Sequence, residues 1–182
     1  MKSVATIVAC LALGLTGCAV NMEGAEQHKP IAVSATAAKK VVLGMDGSAT
    51  AKASESWSDL TDAFREGCRE EASASGVPIE FQDGAARATG EAGTLLAMYV
   101  NDFRYVSTGM RMGFGIMTGN AFIDATTKFQ DLAGGQVWGE RPYSTKSSAW
   151  EGIGSAMTAK QAQAICKNMI DVARGTESSA KK

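Results

Sequence analysis

Side chains suited to acid–base chemistry are concentrated at Glu66, Glu70 and Glu71. A pair of carboxylates performs glycoside hydrolysis, where one acts as an acid and the other as a base or nucleophile. Arg65 and Arg69 alternate with these glutamates, and this spacing is typical of the solvated face of a helix with local ion pairs. We therefore interpret the three glutamates as surface charges.

Asp102 is the second candidate for acid–base chemistry, because this carboxylate interrupts an apolar stretch and is two residues from Arg104. A pair of opposite charges on the solvated face of a sheet explains this placement. The enzymatic alternative is a hydrolase that uses Glu70 or Asp102. It would be supported only if substitution of one of these residues abolished an activity.

Nucleophilic catalysis by a Ser–His–Asp or Cys–His site requires an imidazole beside the nucleophile. The chain contains one histidine, His28, which lies in a small and polar segment where nothing is expected to orient it. Zinc sites built on histidines or paired thiolates are disfavoured as well, because Cys68 and Cys166 have no nearby partner cysteine. We predict no catalytic residue, no metal site and no cofactor.

The most unusual segment is residues 109–119, GMRMGFGIMTG, which we call the Gly/Met loop. Its glycines at 113, 115 and 119 miss the GxGxxG spacing by one residue, and no GK[ST] follows to bring a lysine and a hydroxyl to phosphate and magnesium. This excludes nucleotide binding. The formal net charge of −1 does not suggest a nucleic-acid partner either.

Two interpretations of the Gly/Met loop stay open. Its apolar residues fold back on the core, which is the more frequent outcome, or they form an exposed, adaptable contact surface, for which methionine is well suited. We select its larger apolar residues as the candidate partner-binding site: Met112, Phe114, Ile116 and Met117.

The N-terminus combines one positive charge at Lys2 with an apolar run over residues 4–15, as in a signal peptide. The run is shorter than the roughly 20 residues that a transmembrane helix needs. Leu15-Thr16-Gly17-Cys18 resembles the lipobox of bacterial lipoproteins, in which a peptidase cuts before the cysteine. The resemblance implies that Cys18 carries lipid, and Ala19 implies transport to the outer membrane, since aspartate there is the usual inner-membrane retention signal in enteric-type bacteria.

Cysteine usage then predicts one disulfide. The chain has four cysteines, of which Cys10 leaves with the signal peptide and Cys18 takes lipid. Cys68 and Cys166 remain, and a pair of cysteines in an oxidising compartment favours a disulfide between them. Two unbonded buried thiols are the alternative.

Two helices are predicted from apolar spacing. The first runs from about Ser56 to Ala74, with Cys68 on its apolar stripe, a cap at Ser56 and a stop at Gly76. The last helix begins with a capping box at Thr158 and ends at Gly175.

Strands are predicted over residues 40–45, 79–81, 95–106, 121–132 and 136–143, the fourth with a clean period of two. Pro142 favours an edge position for the last strand. The expected fold class is α+β, with two layers in which two helices pack on one face of a mainly antiparallel sheet of four to five strands.

The segment 129–138, FQDLAGGQVW, resembles the hairpin of the proteobacterial lipoproteins grouped as domain of unknown function 4410. The similarity covers residues 40–175 and implies a small α+β envelope lipoprotein without known catalysis. The resulting division of the chain is a signal peptide at 1–17, a lipidated cysteine and flexible tether at 18–38, a single periplasmic domain at 39–175 and a disordered tail at 176–182.

These observations predict a lipoprotein at the periplasmic face of the bacterial outer membrane, held by the lipid on Cys18. We expect a non-catalytic protein-binding module that contacts another envelope protein through one face of its sheet or through the Gly/Met loop. The alternative is an immunity lipoprotein that neutralises a periplasm-acting toxic effector from competing bacteria.

Overall fold

A computed structural model describes residues 22–23, 28–107, 120–147 and 156–176 of the chain. The strands are β1 (Met22–Glu23), β2 (Val41–Gly47), β3 (Ile79–Gln82), β4 (Thr94–Arg104), β5 (Phe122–Asp131) and β6 (Val137–Lys146), and the helices are α1 (Ala49–Lys52), α2 (Trp57–Ala74) and α3 (Met157–Ala173). A short 3₁₀ turn, Ala37–Lys39, precedes β2.

The strands form one sheet in the order β1-β6-β5-β4-β2-β3. β4, β5, β6 and β1 pair antiparallel in succession, whereas β2 pairs parallel with both β3 and β4. The predicted α+β class with helices on a sheet is confirmed. The sheet is mixed, because a strand followed by a helical crossover returns parallel to its neighbour.

Helices α2 and α3 cover one face of this sheet. Along β2 and β4, alternate residues are buried under the helices, since a strand directs every second side chain to the same face. The core between the layers includes Leu43, Leu60, Phe64, Leu96, Met98, Phe129, Ile165 and Met169, all at most 2% exposed.

Both long helices end where their glycines were predicted to stop them. Gly76 and Gly175 have φ of +68° and +66°. The N–H of Val77 donates to Ala72 and the N–H of Thr176 donates to Asp171, so each helix closes with a left-handed glycine and a bond that spans the last turn.

The predicted N-caps are wrong in their chemistry. Ser56 occupies the N-cap position of α2, but its side chain makes no capping hydrogen bond. Helix α3 begins one residue before Thr158, whose hydroxyl oxygen instead accepts a hydrogen bond of 3.0 Å from the N–H of Val106. The Thr158 hydroxyl therefore accepts a hydrogen bond from a residue distant in the sequence, whereas the capping-box pattern predicts one from the backbone of its own helix.

A disulfide joins Cys68 on α2 to Cys166 on α3, as predicted, with 4.8 Å between the two Cα atoms. Both cysteines are fully buried. The helices approach closely beside the bond, because a Cβ atom on Gly67 would lie 3.0 Å from the Cα of Gln163. The disulfide and the glycine together fix the two helices as one layer.

Two residues of the segment assigned to a flexible tether, Ile31 and Ala37, contact the rest of the domain, whereas most of residues 29–36 are exposed. Ile31 packs where a side chain on Gly139 would lie, and Ala37 is 3% exposed. The Ala37 carbonyl accepts a hydrogen bond from the buried Thr94 hydroxyl. Ile31 thereby packs against the core between the sheet and the helices.

We expect the double variant Cys68→Ala/Cys166→Ala to unfold at a lower urea concentration than the natural protein. The bond spans 98 residues, and the chain-entropy model assigns about 4.7 kcal/mol to a loop of about 100 residues, with about 2–5 kcal/mol measured for native disulfides. Urea titrations followed by circular dichroism measure the difference, and reduction of the natural protein with dithiothreitol is the control. Unfolding midpoints that coincide within error in all three samples would contradict a stabilising bond.

Candidate functional site

Several residues selected from the sequence fall outside the described ranges. The lipidation candidate Cys18 is one, and the four residues of the Gly/Met loop are the others: Met112, Phe114, Ile116 and Met117. The disulfide pair is within the described residues and is bonded.

The glutamates of α2 lie on its solvated side. Glu66 and Glu70 are exposed, and Glu71 is partly exposed. Glu70 accepts a hydrogen bond of 3.1 Å from the side-chain amide of Gln163 on α3. Glu70 therefore makes a surface contact between the two helices.

Asp102 is exposed on β4 as predicted, but among the described residues it forms no ion pair with Arg104. Its carboxylate accepts a hydrogen bond of 2.8 Å from the backbone N–H of Phe103, next to an irregularity in the β4–β5 register. Asp102 stands opposite Asp124. The bulge explains the local hydrogen bond, because it turns the following N–H out of the strand ladder.

Within the part of the chain that the structure describes, no group of three or more His, Cys, Asp or Glu side chains could hold a metal ion. His28 is half-buried, and its Nε2 atom has no hydrogen-bond partner. No helix among the described residues is long and apolar enough to cross a membrane.

The face of β4, β5 and β6 that points away from the helices is largely exposed, and we call it the open face. Strand register arranges its side chains in transverse rows. Tyr99, Thr126 and Pro142 lie opposite one another in the central row. Ala97, Lys128 and Glu140 form the adjacent row. Tyr99 is 45% exposed and, among the described residues, is the exposed large aromatic side chain of this face.

One end of this face is covered by residues 83–93, which connect β3 to β4 across β2. The crossing is close at Gly44, because a Cβ atom there would lie 2.5 Å from the Cα of Ala86. Val42, Leu95 and Leu132 form a small apolar cluster under the same segment, with Ala86 packed against it. Burial of these side chains holds the connection on the sheet.

A groove of about 390 Å³ lies where this connection meets the uncovered part of the open face. We call it the open-face groove. Its sides include the small residues Ala85, Ala86 and Ala97, and its polar lining comes from Tyr99, Thr126, Lys128, Gln130 and Asp46. Its volume is in the range of small-ligand sites, which combine an apolar surface with a few converging polar groups.

Most of the polar groups of the open-face groove make no hydrogen bond within the described part of the chain. This holds for the Tyr99 and Thr126 hydroxyls, the Lys128 ammonium and the Gln130 amide. Asp46 differs, because its carboxylate accepts hydrogen bonds of 2.8 Å from Lys52 Nζ and from the Gly47 N–H. Those two donors, Lys52 foremost, lower the pKa of Asp46.

A second cavity of about 350 Å³ lies beyond the carboxyl end of β3. We call it the edge cavity. Leu43, Met45, Trp57 and Phe81 supply its apolar surface. The cations at its rim, Lys52 and Arg65, are already paired with Asp46 and Asp83. The edge cavity therefore has fewer uncommitted charges than the open-face groove.

Sequence reasoning identified the alternation that exposes Thr126, Lys128 and Gln130, but it did not identify the groove. The groove depends on which strand lies opposite β5 and on where residues 83–93 run. The period-two pattern predicts neither of these, because it shows which side chains share a face but not which strands pair or in which register. The small residues at 85 and 86 are the only local signal of a close crossing.

The chain matches no protein-family model and no curated protein. A PelC dodecamer from Paraburkholderia phytofirmans aligns with 80% of this chain and 94% of its own, at 14% identity and a TM-score of 0.48. A Xanthomonas campestris protein assigned to family DUF330 aligns with 90% of this chain and 95% of its own, at 12% identity and a TM-score of 0.47. Both similarities are too low to carry a conclusion about function or assembly.

We expect Gly44→Ala to destabilise the domain by about 1–3 kcal/mol, the usual cost of overpacking. The added methyl group would overlap the Ala86 backbone, so residues 83–93 would have to move. Thermal unfolding measures the effect. Gly134→Ala is the matched control, since its Cβ would meet only an Asp131 oxygen at 3.7 Å. Equal melting temperatures for Gly44→Ala and the control would contradict a close crossing at Gly44.

Proposed function

We propose that the protein is a lipid-anchored lipoprotein of the bacterial envelope that acts as a non-catalytic protein-binding module. The observation that carries this proposal is the asymmetry of the sheet. One face is sealed by a layer of cross-linked helices, whereas the open face presents Tyr99 beside a groove in which all the polar side chains except Asp46 lack hydrogen-bond partners among the described residues. An exposed aromatic residue among unsatisfied polar groups is typical of a contact surface.

The lipid anchor is proposed on the lipobox-like residues 15–18. The buried disulfide supports an extracytoplasmic location, because structural disulfides persist mainly in oxidising compartments. Three acyl chains on one cysteine hold a protein firmly, since each buried CH₂ contributes about 0.8 kcal/mol. We place the protein on the outer membrane, facing the periplasm.

A partner protein that binds the open face would contact side chains of β4, β5 and β6 together, because the rows of side chains cross these strands. The row of Tyr99, Thr126 and Pro142 lies between the row with Lys128 and Glu140 and the row with Asp102 and Asp124, and Asp46 stands at its β2 end. This order, with neutral side chains at the centre and charges at the rim, is the usual arrangement of protein–protein contacts. The Gly/Met loop at residues 109–119 is the second candidate contact.

The partner's identity separates the two functions that the sequence suggests. An envelope-assembly factor binds resident proteins transiently, whereas an immunity lipoprotein binds one toxic effector very tightly. Capture of an envelope component supports the first function, and capture of a secreted toxin with a very low dissociation constant supports the second.

We expect the full-length lipoprotein to capture one stoichiometric partner from detergent-solubilised membranes of its own organism. The double variant Tyr99→Ala/Thr126→Arg should reduce that capture at least about tenfold, as loss of an interface hot spot does. Ser73→Arg is the matched control, because it places the same charge on an exposed position of α2. Quantitative mass spectrometry of the captured material measures the difference.

A further variant with Met112, Phe114, Ile116 and Met117 all changed to serine tests the Gly/Met loop in the same experiment. Circular dichroism must show that every variant is folded. Capture that survives both the open-face and the loop variants would refute the proposed contact surfaces, and absence of any partner would refute the binding function.

We also expect Cys18→Ser to abolish incorporation of labelled palmitate and to release the protein from the membrane fraction. The thioether to the acylated glycerol needs the Cys18 sulfur. Because the acyl chains are the proposed membrane anchor, their loss should release the protein. Metabolic labelling and fractionation measure both effects. Cys10→Ser is the control, because it changes a cysteine in the apolar run of the signal peptide. Labelled Cys18→Ser protein would overturn the lipidation proposal.

A further inference from the structure

Strand β1 fixes the end of the sheet at which the proposed lipid anchor is attached. It pairs antiparallel with the last residues of β6, with Met22 opposite Thr145. The N-terminal end of β1 therefore points past Lys146, where β6 ends. Cys18 precedes Met22 by four residues, which span at most about 14 Å when fully extended. Acyl chains on Cys18 would hold this end of the sheet close to the bilayer.

The chain beyond β1 contacts β6 further from Lys146. The Lys29 carbonyl accepts a hydrogen bond of 3.4 Å from the guanidinium of Arg141. Ile31 lies against Gly139, since a Cβ atom there would be 3.0 Å from the Ile31 Cγ1 atom. Both contacts agree with the direction of β1, because later residues of this segment meet earlier residues of β6. The reach of the anchor is therefore set by residues 19–21 alone.

The last row of the open face, at this same end, carries two cations and an aromatic ring. Arg104 on β4 stands opposite Phe122 on β5, and Phe122 stands opposite Lys146 on β6. Arg104 and Lys146 are exposed, and Phe122 is half-buried. Long cationic and aromatic side chains are favoured at the level of lipid headgroups, because each combines an apolar body with a polar or charged part. We call these three residues the end row.

The acids of the open face lie behind the end row. Asp102 and Asp124 form the next row, two residues or about 7 Å further along the strands. Headgroup phosphates interact most strongly with the nearest charges, and salt screens the more distant ones over about 8 Å. This order of cations first and acids second therefore favours an approach of the end row to an anionic surface.

We propose that the end row contacts the headgroups of the bilayer in which the acyl chains of Cys18 are inserted, so that this end of the sheet faces the membrane. The inference rests on the proposed lipid anchor and adds the orientation of the domain and the surface that meets the lipid. Val137, at the opposite end of β6, lies about 30 Å along the strand from Lys146.

The full acylated lipoprotein in nanodiscs of phosphatidylethanolamine and phosphatidylglycerol tests this orientation, with gadolinium chelated to a fraction of the headgroups. We expect paramagnetic broadening in ¹H–¹⁵N NMR spectra to be strongest at the amides of Arg104, Phe122 and Lys146. It should fall to background at Asp131 and Val137, at the opposite ends of β5 and β6, because the broadening decays steeply with distance from the gadolinium.

Two variants make the same charge change at different places on the open face. Lys146→Glu should lower the broadening at the Phe122 amide at least about twofold, because phosphatidylglycerol attracts the lysine and repels the glutamate. Lys128→Glu is the matched control. This exposed lysine is six residues from Phe122 on the same face of β5, about 20 Å away, so its replacement should leave the profile unchanged. Circular dichroism must show that both variants are folded.

Equal broadening along the strands, a maximum at Asp131 and Val137, or an unchanged profile in Lys146→Glu would each overturn the membrane contact. Mass spectrometry of the same sample separates this failure from failure of the anchor. A chain that carries acyl groups and gives one of these profiles refutes only the orientation. A chain without acyl groups refutes the lipid anchor and the orientation together.

Discussion

The parallel pairing of β2 with both of its neighbours is the constraint on which the rest of the structure depends. Two parallel strands cannot be joined by a tight turn, so the chain must cross over before it can pair again. After β2 it crosses through α2, which gives the sheet its helical layer, and β3 then pairs on one side of β2. Because β4 lies on the other side, residues 83–93 must pass over β2 on the face that lacks helices.

This double crossing buries β2 from both directions. Val41, Leu43 and Met45 contact the helical layer, while Val42 and Gly44 contact residues 83–93. A strand covered on both faces reads as a continuous apolar run instead of an alternating one, and the sequence VVLGM has that character. The antiparallel strands β5 and β6 are covered on one face only, and they therefore supply the open face and its groove.

The sequence predicted those features that depend on local spacing. Apolar residues at helical intervals located α2, the glycines at 76 and 175 located two helix ends, and the compartment implied by the N-terminus led to the Cys68–Cys166 bond. The features that it did not predict depend on distant partners. Thr158 fits a capping box, but its hydroxyl accepts from Val106, and nothing near Gly44 in the sequence shows that Ala86 lies against it. Strand order and register are set by tertiary packing, so the groove between residues 83–93 and the open face could not be located before the structure was known.

The position of the disulfide also constrains how the protein is made. Synthesis runs from the N-terminus, and the two bonded cysteines stand 98 residues apart, one on the first long helix and the other on the last. All of β3, β4, β5 and β6 must emerge before the partner of Cys68 exists. Cys68 therefore waits for its partner while the 98 residues up to Cys166 are translated. Closure of the bond thus requires α3, and a polypeptide truncated before α3 leaves Cys68 without its partner.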